Sequence, residues 1–288
     1  MVLDTDTYNE IDDQFALAQC LLSPESLQLE AVYAAPFYNK ELVSSVEEGM
    51  QKSYEEIHRV MNRLGISADG LVHTGSSRWL RDDLHPVDSP AARDLIKRAH
   101  ATPQGEYLYV VAIGALTNVI SAIIMDPETV QKLQIVWLGG QPLHWHSAAE
   151  FNLCGDIHAS RFLFNSSASL TMIPCTGVAS HLLTSTPEME QLVRPLGPLG
   201  EYLTEIFNDW IRRHGCLTKE IWDIAGPAWL LNPSWFTSEL VHRPILTDHI
   251  TYSIDNSRPF MRMVTSLNRD AIFRDLYKRL ASASVNNS

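Results

Sequence analysis

An α/β fold with an open, mostly parallel central sheet flanked by helices is predicted by three features of the 288-residue chain. Short runs rich in β-branched and aromatic residues alternate with longer stretches of helical period, the habit of strands joined by crossover helices. The apolar share of 45% and charged share of 19% are those of an ordinary globular chain, enough to build a core. The composition stays even, with no linker or repeat, so one domain over residues 1–280 is preferred to two. The Ser/Asn-rich stretch 281–288 reads as an unstructured tail.

In chain order, strands are expected at Met1 to Thr5, Leu29 to Ala35, Glu106 to Ile113, Leu133 to Leu138 and Leu170 to Ile173, then near Ile250 and Met261. Helices fall between them. Ile11, Phe15, Ala18 and Leu22 share one face of a first helix that Pro24 ends. Leu42, Val46, Met50, Ile57, Val60, Met61 and Leu64 form a stripe on a second, Glu41 to Leu64, closed by Gly65. Further helices are predicted at Ser89 to His100, Leu116 to Met125, Asp156 to Asn165, Leu199 to His214, Ile224 to Leu231 and Arg269 to Leu280.

The 22 basic residues against 34 acidic ones give a net charge of −12, which argues against a nucleic-acid clamp. No run approaches the length of a membrane span, and the amino terminus lacks a secretory pattern, so a soluble cytoplasmic protein with a small-molecule substrate is expected. Cys20, Cys154, Cys175 and Cys216 are too few and too scattered for a disulfide scaffold or paired zinc motif, and read as reduced, mostly buried thiols.

The densest chemical signal is the run Asp4, Asp6, Glu10, Asp12 and Asp13, five carboxylates within ten residues directly after an apolar strand. Asp4 and Asp6 lie two apart, so an extended backbone points them to one face, while Asp12 and Asp13 sit in the first turn of the next helix. In open α/β sheets this turn lies where ligands collect. Carboxylates crowded there repel one another unless a cation joins them, and all-oxygen ligation favours Ca²⁺ or Mg²⁺ over zinc. The plainer alternative makes Asp12 a helix cap and the rest solvated turn residues.

Val2-Leu3-Asp4-Thr5-Asp6-Thr7 looks like the first motif of haloacid-dehalogenase-type phosphatases, but the candidate for their later magnesium motif, Gly155-Asp156-Ile157-His158-Ala159-Ser160, ends in Ser. A second resemblance continues along the chain. The Asp-x-Asp opening and Asp12-Asp13, then Gly114-Ala115-Leu116-Thr117-Asn118, Val136 to Gly140, Ala149-Glu150-Phe151-Asn152, and Trp222-Asp223 with Pro227, Ala228 and Leu230, occur in order. In this the chain resembles the inosine-uridine-preferring nucleoside hydrolases, as a divergent bacterial-type member, over about residues 1–280.

The resemblance implies a Rossmann-like core and calcium-dependent cleavage of the N-glycosidic bond of ribonucleosides or a related N-ribosyl compound. It implies Asp6, Asp13 and Asp223 as calcium ligands with a backbone carbonyl near Ile113, Asp6 as the base that activates water at the metal, and Asp4 as its support. Asp12, Glu150 and Asn152 would hold sugar hydroxyls, and an acidic pocket suits an oxocarbenium-like centre. A homodimer or homotetramer is implied as well. The sequence also departs from the pattern. The turn Thr7 to Ile11 is two residues longer than the family's Pro-Gly turn, and Ala35-Pro36-Phe37-Tyr38-Asn39 replaces a Gly-Asn, displacing Asn39. His144 falls near a family Asn, and Trp222 stands where the family has a His; it can stack on a planar aglycone but cannot deliver a proton. His144 and His146 are the nearest candidate acids, and Cys154 reads as a packed thiol. A sugar- or nucleoside-binding protein that has lost turnover, and less readily a magnesium-dependent phosphatase, are the competing functions.

Overall fold

The computed structural model describes residues 1–286. Its strands are β1 (Val2–Thr5), β2 (Ala31–Ala34), β3 (Val72–His73), β4 (Leu108–Ala112), β5 (Leu133–Leu138), β6 (Ser169–Ile173), β7 (Leu183–Ser185), β8 (Thr218–Glu220), β9 (Phe236–His242), β10 (Ile245–Leu246), β11 (Tyr252–Ser253) and β12 (Phe260–Leu267). Eight of them form one sheet in the order β3-β2-β1-β4-β5-β6-β12-β9, parallel throughout except for the antiparallel β9 edge. From β1 the chain builds outward through β2 and β3, and then returns to β4 on the other side. The strand order therefore reverses between β1 and β4, which opens a crevice at their carboxyl ends.

The inner strands β1, β2, β4 and β5 are buried on both faces because helices cover both, as parallel sheets require. Leu3 packs with Val32, Val111, Phe15, Ile57, Leu203 and Ile272 on one side. Val2, its neighbour, packs with Tyr33, Val110, Leu95, Ile120 and Leu163 on the other. The first layer holds helices α1 (Asp13–Leu21), α2 (Val46–Arg63), α8 (Gly197–His214), α9 (Ala225–Leu231) and α10 (Arg269–Asn286). The second holds α3 (Pro90–Ala101), α4 (Thr117–Met125) and α6 (Ile157–Asn165), while α5 (Phe151–Gly155) and α7 (Thr186–Glu188) are single turns. Among the described residues no helix is long and apolar enough to cross a membrane.

Several boundaries differ from expectation for local reasons. The second helix starts at Val46 rather than Glu41, because the Ser45 hydroxyl accepts from the Glu48 backbone N–H at 3.1 Å while the Glu48 carboxylate accepts from the Ser44 N–H at 2.7 Å. It ends as expected, with Gly65 at φ +67°. The strand expected near Ile250 is β11, which begins at Tyr252; Ile250 itself, with φ +54°, lies in the turn joining it to β10. The two-residue β3, the long edge strand β9 and the β7–β8 ribbon carried too little period to be seen. α10 runs past Leu280 to Asn286, and residues 287–288, the end of the expected tail, lie outside the described residues.

Asp156 locks the second layer to the crevice. Fully buried, it caps α6 by accepting from the Ala159 N–H at 3.0 Å, and its other oxygen accepts from the Thr117 hydroxyl at 2.7 Å and the Leu80 N–H at 2.9 Å. Asp156→Ala strands all three donors, so we expect a stability loss of about 2–4 kcal/mol, read from the midpoint of urea unfolding.

Candidate active site

The crevice is lined first by the acidic run. Asp4, the third residue of β1, is fully buried, and its Oδ1 accepts from Asn118 Nδ2 at 2.8 Å. The Asn118 amide also donates to the Ala34 carbonyl at 3.2 Å and accepts from the Ser76 N–H at 2.7 Å and hydroxyl at 2.8 Å, fastening β1, β2, α4 and the segment after β3 together. Burial lifts the Asp4 carboxyl to about 7, with the Asn118 bond pulling the other way. Asp6, just past the strand, is 2% exposed, and its Oδ2 is buried with no hydrogen-bond partner. A Cβ at position 114 would lie 2.9 Å from its Oδ1, so the glycine of Gly114-Ala115-Leu116 is what lets the two chain segments close on each other.

Asp12 precedes α1 but does not cap it: the side chain makes no cap hydrogen bond and is left to the crevice. The plainer reading of Asp12 is thereby overturned. Asp13 accepts from the Thr5 hydroxyl. Asp223 reaches the same spot from the short turn Trp222–Ile224 ahead of α9, and one carboxylate oxygen from each of Asp12, Asp13 and Asp223 lies within 4.8 Å of the others. All are buried, and desolvation first, then mutual repulsion, raises their carboxyls: Asp13 to about 7, Asp6 and Asp223 well above the ordinary range. Asp12 rises to about 6 by burial, held back chiefly by Lys219. Unpartnered buried oxygens, mutual repulsion and an all-oxygen donor set together fit a hard divalent cation.

Opposite, Glu150 caps α5. One oxygen accepts from the Asn152 N–H at 2.9 Å; the other accepts from Gly140 N–H at 2.8 Å and Leu153 N–H at 3.0 Å. Burial raises its carboxyl even so, with these bonds opposing. The Asn152 amide donates to the carbonyls of Ile113 at 3.2 Å and Leu138 at 3.0 Å, which leaves its Oδ1 for another donor. Glu150-Phe151-Asn152 is thus a capped turn that bridges the ends of β4 and β5.

These groups enclose a cavity of about 320 Å³. Of the residues singled out in the sequence, Asp6, Asp12, Asp13, Ile113, Glu150, Asn152, Trp222 and Asp223 all line it. Asp4 stands behind it on Asn118. His144 is exposed with His146 on the loop after β5 and does not line the cavity. Cys154 is an exposed thiol rather than a packed one, as is Cys216, because the short α5 turns position 154 outward. Sequence reasoning missed Glu10, Cys175, Gln141 and Thr176 in the wall. Glu10 was visible in the acidic run, whereas Cys175 and Thr176 follow β6 and their position at a strand's carboxyl end was the only signal. A second cavity of about 590 Å³ adjoins the first and shares Asn9 and Glu10 with it; Asn39 lines this second space and not the first.

The profile of the inosine-uridine preferring nucleoside hydrolase family matches residues 1–274. The pyrimidine-specific ribonucleoside hydrolase RihA of Klebsiella pneumoniae is 26% identical, with 98% of each chain covered. The probable uridine nucleosidase 2 of Arabidopsis thaliana is 25% identical over 74% of this chain and 70% of its own. Among solved structures, the purine-preferring ribonucleoside hydrolase from Gardnerella vaginalis superposes with a TM-score of 0.80 at 21% identity, covering 98% of both chains. The strand order with its crevice, the carboxylates gathered there, and a family match along nearly the whole length lead to one assignment: the chain belongs to the inosine-uridine preferring nucleoside hydrolases and is an N-glycosyl hydrolase.

Proposed function

We propose that the protein hydrolyses the N-glycosidic bond of ribonucleosides in a calcium-dependent reaction with Asp6 as the base. The observation that carries this reading is the unpartnered, buried Oδ2 of Asp6 beside the Asp12, Asp13 and Asp223 carboxylates. Asp6, Asp13, Asp223 and the Ile113 carbonyl would hold the ion, with Asp12 near enough to share it. When bound, calcium supplies the positive charge that the cluster lacks and makes nearby water more acidic. Asp6 takes the proton of the attacking water at Oδ2. Asp12, Asn152 Oδ1 and Glu150 orient the sugar hydroxyls. As the C1′–N bond breaks, positive charge grows at C1′, and the surrounding carboxylates stabilise it. The leaving group departs beside Trp222, whose indole stacks on a planar ring.

A binding protein without turnover is the second reading, favoured by Trp222, which offers no proton to a leaving base, and by the exposed position of His144 away from the cavity. A panel of purine and pyrimidine ribonucleosides, assayed for released reducing sugar with calcium and after chelation, separates the two: calcium-dependent release supports the hydrolase, and binding without release the alternative. Asp6→Asn should lower kcat by at least about 10³-fold, since it removes the base and weakens the ion site together. A variant that retains wild-type turnover would falsify the mechanism.

The raised carboxyls also set a pH dependence. Without metal, the folded chain keeps protons on Asp4, Asp12 and Asp13 that the unfolded chain has already released above its ordinary value of 3.8. Their contribution to stability is therefore present at about pH 4 and is lost as the pH rises through about 6 to 7. A divalent cation competes with those protons. The rise in Tm on adding calcium should accordingly be larger near pH 8 than near pH 5, by differential scanning calorimetry.

A further inference from the structure

Lys219 is one of few cations buried in this molecule. It sits on β8, is 2% exposed, and lines neither cavity. Its ammonium forms an ion pair with Glu10 Oε2 and lies 5.2 Å from the ring centre of Trp210 and 5.7 Å from that of Trp222. Burial alone would lower its pKa, but Asp12 and Glu10 outweigh that and keep it charged. The three groups it touches are wall residues. Glu10 lines both cavities, Trp222 the first and Trp210 the second. Lys219 is thus the bolt behind the wall on the Trp222 side, where the leaving group sits in the reading above.

The pair fixes Oε2 of Glu10, whose side chain is 42% exposed, and leaves Oε1 open to solvent or a ligand with no partner among the described residues. Next to it, Asn9 Oδ1 is buried with no hydrogen-bond partner, and Asn9 lines the same two spaces. Asn9 and Glu10 line the first cavity together with Trp222, against whose indole a planar ring can lie. An acceptor pair attracts an amino N–H and repels a ring carbonyl. We infer that Glu10 is a specificity-determining residue that selects leaving bases bearing an exocyclic amine over their oxo counterparts, and that Lys219 is the positioning residue holding it in place. The inference rests on the nucleoside hydrolase reading of the site, and it runs against the preference in the family's name, since hypoxanthine and uracil are both oxo bases.

The test compares kcat/KM within the pairs cytidine/uridine and adenosine/inosine, with calorimetric binding of the same four nucleosides to the same protein. The wild type should favour the amino member of each pair by about 10-fold, the scale of one hydrogen bond to a charged group. Glu10→Gln, whose amide can either donate or accept, should shrink both ratios toward one. Lys219→Met should raise KM for cytidine more than it lowers kcat, and Lys219→Arg should restore part of the loss, which a merely structural role for the cation does not predict. Ratios at or below one in both pairs, or ratios that Glu10→Gln leaves unchanged, overturn the inference while leaving the hydrolase standing. If no riboside is cleaved, the hydrolase reading falls, and the calorimetric ratios decide the selectivity of Glu10 by the same criterion.

Discussion

Four carboxylates cannot stay ionised while buried against one another unless a cation joins them, and otherwise they hold on to protons; the structure gathers Asp6, Asp12, Asp13 and Asp223 at the one place where the strand order reverses. Much of the surrounding architecture follows from that constraint. β1 must be buried on both faces to bring the run there, so Val2 and Leu3 serve two opposite cores. Gly114 must lack a side chain so that Asp6 can close on the end of β4. Asn118 must reach back across the crevice to hold Asp4, and Thr117 beside it ties α4 to Asp156. The Leu-Thr-Asn segment, weak as a motif, is the mechanical base of the site.

The two sides of the cavity differ in rigidity of purpose. On the side of Glu150 and Asn152, backbone groups at the ends of β4 and β5 and in α5 hold both side chains, and Glu150 accepts three backbone N–H groups. On the side of Trp222, order comes instead from side chains: an ion pair between segments some 200 residues apart, and two indoles around one ammonium. Backbone-held groups leave little room for change, whereas side-chain-held groups can be exchanged one at a time.

Much of this was legible in the sequence, and the reasons are particular. Asp4, Asp6, Asp12 and Asp13 are adjacent along the chain, so their density announces itself, and Asp223 and Glu150-Phe151-Asn152 were found through family order rather than through any local pattern. Lys219 was invisible for the opposite reason. It lies on a three-residue strand with no period, and its partner Glu10 is brought to it only by the packing of α1 against the turn before α9. The exposed loop of His144 illustrates the same limit, because position in a motif does not fix the direction of a loop. Strands failed where they were short, as at β3 and at the β7–β8 ribbon.

Asp13 and Asp223 stand shoulder to shoulder but are separated by most of the chain. A ribosome completes the first acidic run long before it makes the last member of the cluster, and the nascent chain carries that run with no sheet around it. The entropy of closing so long a loop must be recovered before the four carboxylates meet. The carboxylate cluster therefore cannot exist until the chain has been made as far as Asp223, and the emerging amino-terminal half carries only part of the site.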